Sequence, residues 1–446
     1  KAALGSLELQ NHLVIAPMTR SRATDNIPNA LMAEYYGQRS SAGLIISEAT
    51  GISRQGLGWP YAPGLWSEEQ VEAWKPVTAA VHEAGGRIFA QLWHMGRLVH
   101  SSFNDGQPGV SASTTTGPGH AHTATGRQPL EQARALRLDE MPRVVNDYAQ
   151  AAANAKAAGF DGVQIHSANG YLLDQFLRDN SNFRDDAYGG SIENRIRLTT
   201  EVTAALCEVW GADRVSVRLS PNGDSQGADD SNPEGLFTAA AAALQKLNIG
   251  FLELREPGPD GTFGRTDVPK QSPAIRKVFT NPLVLNSDLT AESGNALLAS
   301  GQADAVSYGR PYISNPDLAD RIRDGKSFST RRVVAIQHGQ AIFNLQASFH
   351  APEEGLSHQV PMPDVPEAES LPDFKTRMAP HKHLLGEWYD RPRPIDIRYV
   401  DGDPMSRSRT PTVQQKVWLR ADGTLPDDPT LHACIVTYAS DMTLLD

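Results

Sequence analysis

The chain has 446 residues, 40% of them hydrophobic and 21% charged, with a formal net charge of −11. That composition gives an ordinary folded core and argues against a nucleic-acid or acidic-membrane partner. Two cysteines, Cys207 and Cys434, exclude a disulfide framework and any multi-cysteine zinc or iron–sulfur site, so a reducing, cytoplasmic setting is expected. No apolar run approaches the roughly 20 residues of a bilayer span, so no membrane partner is expected. The first residue, Lys1, is not Met and follows no secretory pattern, which implies a start further upstream.

Short, continuously apolar runs alternate with helical stretches. Strands are predicted at Leu13–Pro17, Leu44–Glu48, Arg87–Leu92, Gly162–His166, Val215–Leu219, Phe251–Leu254, Leu283–Leu285 and Ala305–Gly309. Runs without polar alternation suit parallel strands buried on both faces. Helices are predicted at Glu68–Ala84, Met141–Ala158, Ile192–Val209, Gly235–Lys246, Ala274–Val278 and Ala291–Ser300. Ser191 and Thr290 are placed as caps, and Gly85, Gly159 and Gly301 as stops. Eight strands alternating with helices predict an α/β protein of the (β/α)8 TIM-barrel class. The competing doubly wound sheet lacks its G-x-G-x-x-G signature. Residues 110–132, rich in Thr, Gly and His, are too long for a plain connection and predict a lid or hairpin over one barrel end.

The texture changes after Arg323. Ser329–Phe349 predicts a hairpin around His338-Gly339, Pro352–Pro394 a linker or irregular loop, and Val417–Asp446 a strand pair with the start of another element.

In a barrel the chemistry comes from the C-terminal strand ends. Those ends supply Pro17-Met18-Thr19, Glu48-Ala49-Thr50, Gln91, His166-x-x-Asn169-x-Tyr171, Arg218, Asn286-Ser287-Asp288 and Gly309-Arg310. Polar and cationic groups from many strands thus meet at one rim. The late strands, with small residues and Arg310, fit a phosphate grip; the plainer alternative for Arg310 is a surface ion pair. Gly223-Asp-Ser-Gln-Gly227 matches a nucleophile elbow, but Pro221 and Asn222 part it from strand five. Gly325-Lys326-Ser327 lacks the first glycine of a P-loop, and the His120/His122 and His381/His383 pairs lack further metal ligands.

The strings APMTRSR (16–22), AGLIISEAT (42–50), QLWHMGR (91–97), the run from His166 to Arg195, and DAVSYGRPYISNPDL (304–318) resemble the old yellow enzyme family, particularly its bacterial maleimide- and nitroester-reductase branch. The resemblance implies an FMN-dependent ene-reductase over residues 1–325, reduced by NADPH or NADH and acting on small activated alkenes. By that resemblance, Thr19 bonds the flavin O4, Gln91 the pyrimidine edge, and Pro17, Met18 and Ala49 line the ring. Arg218 sits by N1/O2, and Ser287, Asp288, Gly309 and Arg310 bind the phosphate. His166 and Asn169 would polarise the substrate's carbonyl or nitro group while Tyr171 protonates its α carbon; a polarised enone needs both parts. Trp59 borders the substrate pocket, with plain packing as its alternative.

Residues 323–349, 358–372 and 417–446 resemble a second family, the double-hotdog acyl-CoA thioesterases II, which implies a hotdog-like α+β segment over 326–446 with Asp441 as its remnant carboxylate. In that family the first long helix would precede residue 323 and the completing Thr and Gln would follow residue 446, so the thioester hydrolase alternative is expected to be inactive. The Arg-x-Arg-Asp-Gly string at 321–325 suits both families, which suggests a chimera joined there. A further alternative is a barrel that binds its cofactor without turning over, since its usual closing segment is replaced.

Overall fold

The computed structural model describes residues 2–123, 125–258, 261, 265, 267–323, 328–337, 340–350, 362–402, 405, 416–427, 431–432 and 435–436. The chain divides into two compact units, residues 1–352 and 353–446.

The first unit is built on eight strands: β1 Leu13–Ile15, β2 Leu44–Ile46, β3 Ile88–Trp93, β4 Gly162–His166, β5 Val215–Leu219, β6 Phe251–Arg255, β7 Leu283–Asn286 and β8 Ala305–Tyr308. Each pairs in parallel with the next, and β8 closes on β1 through Val306↔Leu13 to Tyr308↔Ile15. The expected barrel is present, its strands within two residues of the predicted bounds. Burial on both faces explains why apolar runs located them: outward residues such as Val163, Ile165, Leu252 and Leu254 meet the helices.

Alternate residues point inward and stack in layers. The lowest layer holds Val14, Leu44, Ile46, Phe89, Phe251, Val284 and Ala305, sealed by Leu4, Leu7 and Leu9 of an N-terminal hairpin that sequence reasoning missed. Polar residues fill the layer above, among them Gln91, Gln164, Glu253, Asn286 and Ser307.

The predicted helices form, with Ile192–Val209 resolved into Ile192–Arg195 and Arg197–Trp210 and the Ala274–Val278 segment shifted to a single turn at Ser272–Ile275. Ser191 accepts from the Asn194 N–H and Thr290 from the Ser293 N–H, while Gly85, Gly159 and Gly301 adopt positive φ at the stops. Helices at Ala30–Gly37, Leu172–Leu177, Arg310–Ser314 and Leu318–Arg323 were not anticipated. The 110–132 segment does contain a hairpin, His120–Thr123 against Gly126–Pro129. The Trp59 ring lies 5.1 Å from that of His122.

Phe328–Gln337 and Gln340–His350 pair antiparallel, as the Ser329–Phe349 pattern predicts; His338-Gly339 falls outside the described residues. The linker or irregular loop expected over Pro352–Pro394, of which residues 352–361 fall outside the described residues, is irregular at 362–367 but is corrected beyond, in the second unit: one-turn helices occupy Phe374–Met378, Lys382–Leu385 and Glu387–Asp390. Val417–Ala421 is a strand, but its antiparallel partner is Ile395–Tyr399, and residues 431–432 and 435–436 are helical. Phe374, Met378, Ile395, Ile397 and Tyr399 form a small core there. This mixture of helices and antiparallel strands is of the α+β class expected of a hotdog-like segment. Asp441 lies outside the described residues.

Candidate active site

The rim is best built from β4. His166 ends that strand, and the chain turns through Asn169 (φ +58) and Gly170 (φ +76) before Tyr171 opens the helix Leu172–Leu177. A Cβ on Gly170 would stand 2.3 Å from the Ser225 carbonyl oxygen, so this turn requires glycine. Below it, the Gly170 N–H donates to Asp174 Oδ2 (2.8 Å) and the Asn169 N–H to Ser220 Oγ (2.8 Å). Asp174 is held in turn by Arg178 Nε at 2.8 Å, both side chains fully enclosed.

That scaffold brings three aromatic rings together. His166 and Tyr171 meet edge to face at 4.8 Å, and Trp93 on β3 lies 4.9 Å from Tyr171 and 6.5 Å from His166. Burial, with Arg218 and Arg255 nearby, holds the His166 imidazole well below its usual range, so it is neutral at physiological pH. Burial pushes the Tyr171 hydroxyl up to about 12, with Arg255 opposing. Among the described residues, the buried His166 Nδ1 and Asn169 Oδ1 have no protein partner. Trp59 packs in the cluster of Ala49, Leu57, Trp93 and Val99 that also receives Tyr171, and its Nε1 donates to Ser21 Oγ at 3.1 Å.

Beside this group lies a cavity of about 680 Å³, a size typical of small-ligand sites. It gathers Pro17, Met18, Arg218, Ser287, Asp288, Gly309 and Arg310 from the ends of β1, β5, β7 and β8. A Cβ at Gly309 would approach Met18 Sδ to 3.3 Å, so glycine keeps that wall open. Ser287 (φ +100) and Asp288 (φ +53) form the tight turn after β7. Arg310 Nη2 donates to Asp288 Oδ1 at 2.6 Å, so the ion pair weighed for Arg310 exists at the cavity wall. Thr19, Ala49 and Gln91 lie off this lining: Thr19 is half-buried just past Met18, Ala49 is buried with Trp93, and Gln91 stands in the barrel's polar layer.

Strand six contributes what sequence reasoning overlooked. Glu253 and Arg255 alternate with Leu252 and Leu254, so both charges point inward. Arg255 lines the cavity; burial, reinforced by Arg218, lowers its guanidinium to about 10. Glu253 lies beneath, paired with Arg218. Charged residues at alternate positions of an apolar strand were the available signal. By contrast, Glu48 faces a separate groove with Arg20, Arg22 and Arg39; burial raises its carboxyl to about 7, against hydrogen bonds from the Arg20 N–H and the Tyr36 hydroxyl. The Ser225–Gly227 segment is a 3₁₀ turn and no nucleophile elbow. No cluster of three or more metal-ligating side chains occurs among the described residues.

The whole barrel, from residue 2 to residue 328, matches the model of the NADH:flavin oxidoreductase / NADH oxidase family. The chain belongs to that family. It is an oxidoreductase, and FMN is its cofactor. The chain is 43% identical over 321 residues to a putative 12-oxophytodienoate reductase 11 of Oryza sativa subsp. japonica, spanning 71% of this chain and 88% of that one. Among solved structures it is similar to the old yellow enzyme homologue from Zymomonas mobilis (59% identity, TM-score 0.71, 72% of this chain and 91% of that one). It is also similar to morphinone reductase (44% identity, TM-score 0.70, 72% and 88%), which has been solved as well in complex with tetrahydroNAD. A second family model, of acyl-CoA thioesterases, matches residues 402–446. No helix among the described residues is long and apolar enough to cross a membrane.

The residues present fit FMN. Three arginines line a cavity large enough for the group, Gly309 leaves one wall bare, and buried Arg218 Nε lacks a protein partner among the described residues.

Proposed function

We propose that this protein uses NADPH or NADH to reduce small activated alkenes: enones, maleimides and nitroalkenes. When bound, FMN supplies the hydride from its N5 to the substrate's β carbon. Gln91 and Thr19 would hold the ring edge, Pro17, Met18 and Ala49 its face, and Arg218 the N1/O2 side. Ser287, Asp288 (through its backbone), Gly309 and Arg310 would receive the phosphate. Trp59 borders the substrate.

The observation that carries this reading is the His166–Asn169–Tyr171 group. A neutral imidazole, its Nδ1 unpartnered by the protein among the described residues, can donate its N–H to a substrate oxygen, and the Asn169 carboxamide can donate to the same oxygen through Nδ2. Polarising that oxygen drains electron density from the β carbon. Tyr171, a weak acid stacked edge-on to His166, then delivers a proton to the α carbon. Turnover of 2-cyclohexenone in D2O should place deuterium on the α carbon. No turnover of any enone, or a product without label on the α carbon, would contradict the proposal. The cysteine-poor composition supports a cytoplasmic setting.

We further propose that residues 1–325 are the reductase and residues 326–446 a thioesterase-like segment, with Asp441 as its remnant carboxylate, joined as a chimera. The acyl-CoA thioesterase match over 402–446 supports that division. Single-molecule sequencing across codons 318–330 tests the join: separate barrel and thioesterase reads with none spanning it would remove it as a property of the protein.

A further inference from the structure

Two side chains proposed for the flavin's pyrimidine edge, Gln91 on β3 and Arg218 on β5, are joined beneath the rim by a buried chain of polar groups. Gln91 Nε2 donates to Gln164 Oε1 at 2.8 Å, and Gln164 Nε2 donates to Glu253 Oε2 at 2.9 Å. The other oxygen of Glu253 pairs with Arg218 Nη1, and Arg218 Nη2 donates to Asn286 Oδ1 at 2.8 Å. Asn286 Nδ2 then donates to the Ser307 carbonyl at 2.8 Å, so the chain spans β3 to β8. Gln164 and Glu253 are fully buried.

We propose that Glu253 is a positioning residue that sets the reduction potential of the flavin, an inference that rests on FMN occupying the cavity above it. The first ground is direction. An ionised carboxylate only accepts, so Gln164 must turn its NH2 toward Glu253 and its carbonyl toward Gln91. Gln91 therefore spends an N–H downward and keeps its carbonyl oxygen for the ring. One charge thus fixes two amide orientations. The second ground is electrostatic. Arg218 is a buried cation whose counter-ion is on the side away from the ligand, and the two charges nearly cancel at a distance. Reduced flavin carries more negative charge than oxidised flavin. Neutralising Glu253 leaves Arg218 uncompensated and favours the reduced form.

The test compares FMN-loaded parent and Glu253→Gln protein, each equilibrated with a redox dye of known potential. The substitution keeps the shape and an acceptor oxygen while deleting the charge. The inference expects the reduced form to gain at least tenfold, an upward shift of about 30 mV for a two-electron couple. An unchanged or lowered potential overturns it, including the case where the variant merely binds FMN more weakly, as a purely structural role would produce. If Glu253→Gln holds no FMN, Glu253→Asp carries the test. It keeps the charge but withdraws it from Arg218, so a potential above the parent's supports the inference, and one equal or lower refutes it. A parent protein that binds no FMN would instead fail the reading on which this inference rests.

Discussion

Removing the Tyr171 hydroxyl while keeping its ring separates the two halves of the proposed reaction. The ring is held by packing, 4.9 Å from Trp93 and 4.8 Å from His166 in edge-to-face contact, and Phe preserves both contacts. Tyr171→Phe should therefore fold and bind FMN as the parent does. What it loses is a proton source held at the substrate. A positioned general acid is worth about 10²–10⁴-fold, or about 2.7–5.4 kcal/mol of barrier, over a proton taken from water. With the hydroxyl raised to about 12, the donor stays protonated from pH 6 to 10, so the parent's enone step should be flat across that range. Stopped-flow absorbance measures each half separately. Reduction by NADPH should change less than twofold, whereas reoxidation by 2-cyclohexenone should slow by about 10²–10⁴-fold. Equal slowing of both halves, or an unaffected enone step, would refute Tyr171 as the donor.

His94 is buried, accepts from the Gly96 N–H at 3.0 Å, and is pushed by burial down to about 3. Above pH 6.5 it is neutral folded and unfolded alike; as pH falls, only the unfolded chain takes the proton, so stability is lost. Urea unfolding should show the parent's advantage over His94→Gln shrinking by about 2.7 kcal/mol between pH 7.5 and 4.5; a constant difference would contradict this. Arg178 donates to Asp174 Oδ1 and, at 2.6 Å, to the Ser220 carbonyl, and its guanidinium lies 4.7 Å from the Phe237 ring centroid. Arg178→Met strands a buried carboxylate under the Asn169–Tyr171 turn and should cost about 3–5 kcal/mol in the same assay. A loss below 1 kcal/mol would mean the pair does not hold the turn.

The barrel was legible because its strands are short apolar runs buried on both faces, ended by glycine-stopped helices. The His166–Tyr171 turn was legible because its residues sit within six positions of one another. What escaped depends on contacts that spacing does not encode. Glu253 binds Gln164 across 89 positions, and Arg218 binds Asn286 across 68. Arg255 was missed because the rim was assembled without strand six. Proline spacing masked the one-turn helices between Phe374 and Asp390, which are too short to show a 3.6-residue period.

The most direct test is an anaerobic visible spectrum of the purified protein. The account predicts a yellow flavin spectrum that bleaches with NADPH or NADH and returns when 2-cyclohexenone is added. A colourless protein after incubation with FMN, or a reduced flavin that no enone, maleimide or nitroalkene reoxidises, would contradict it.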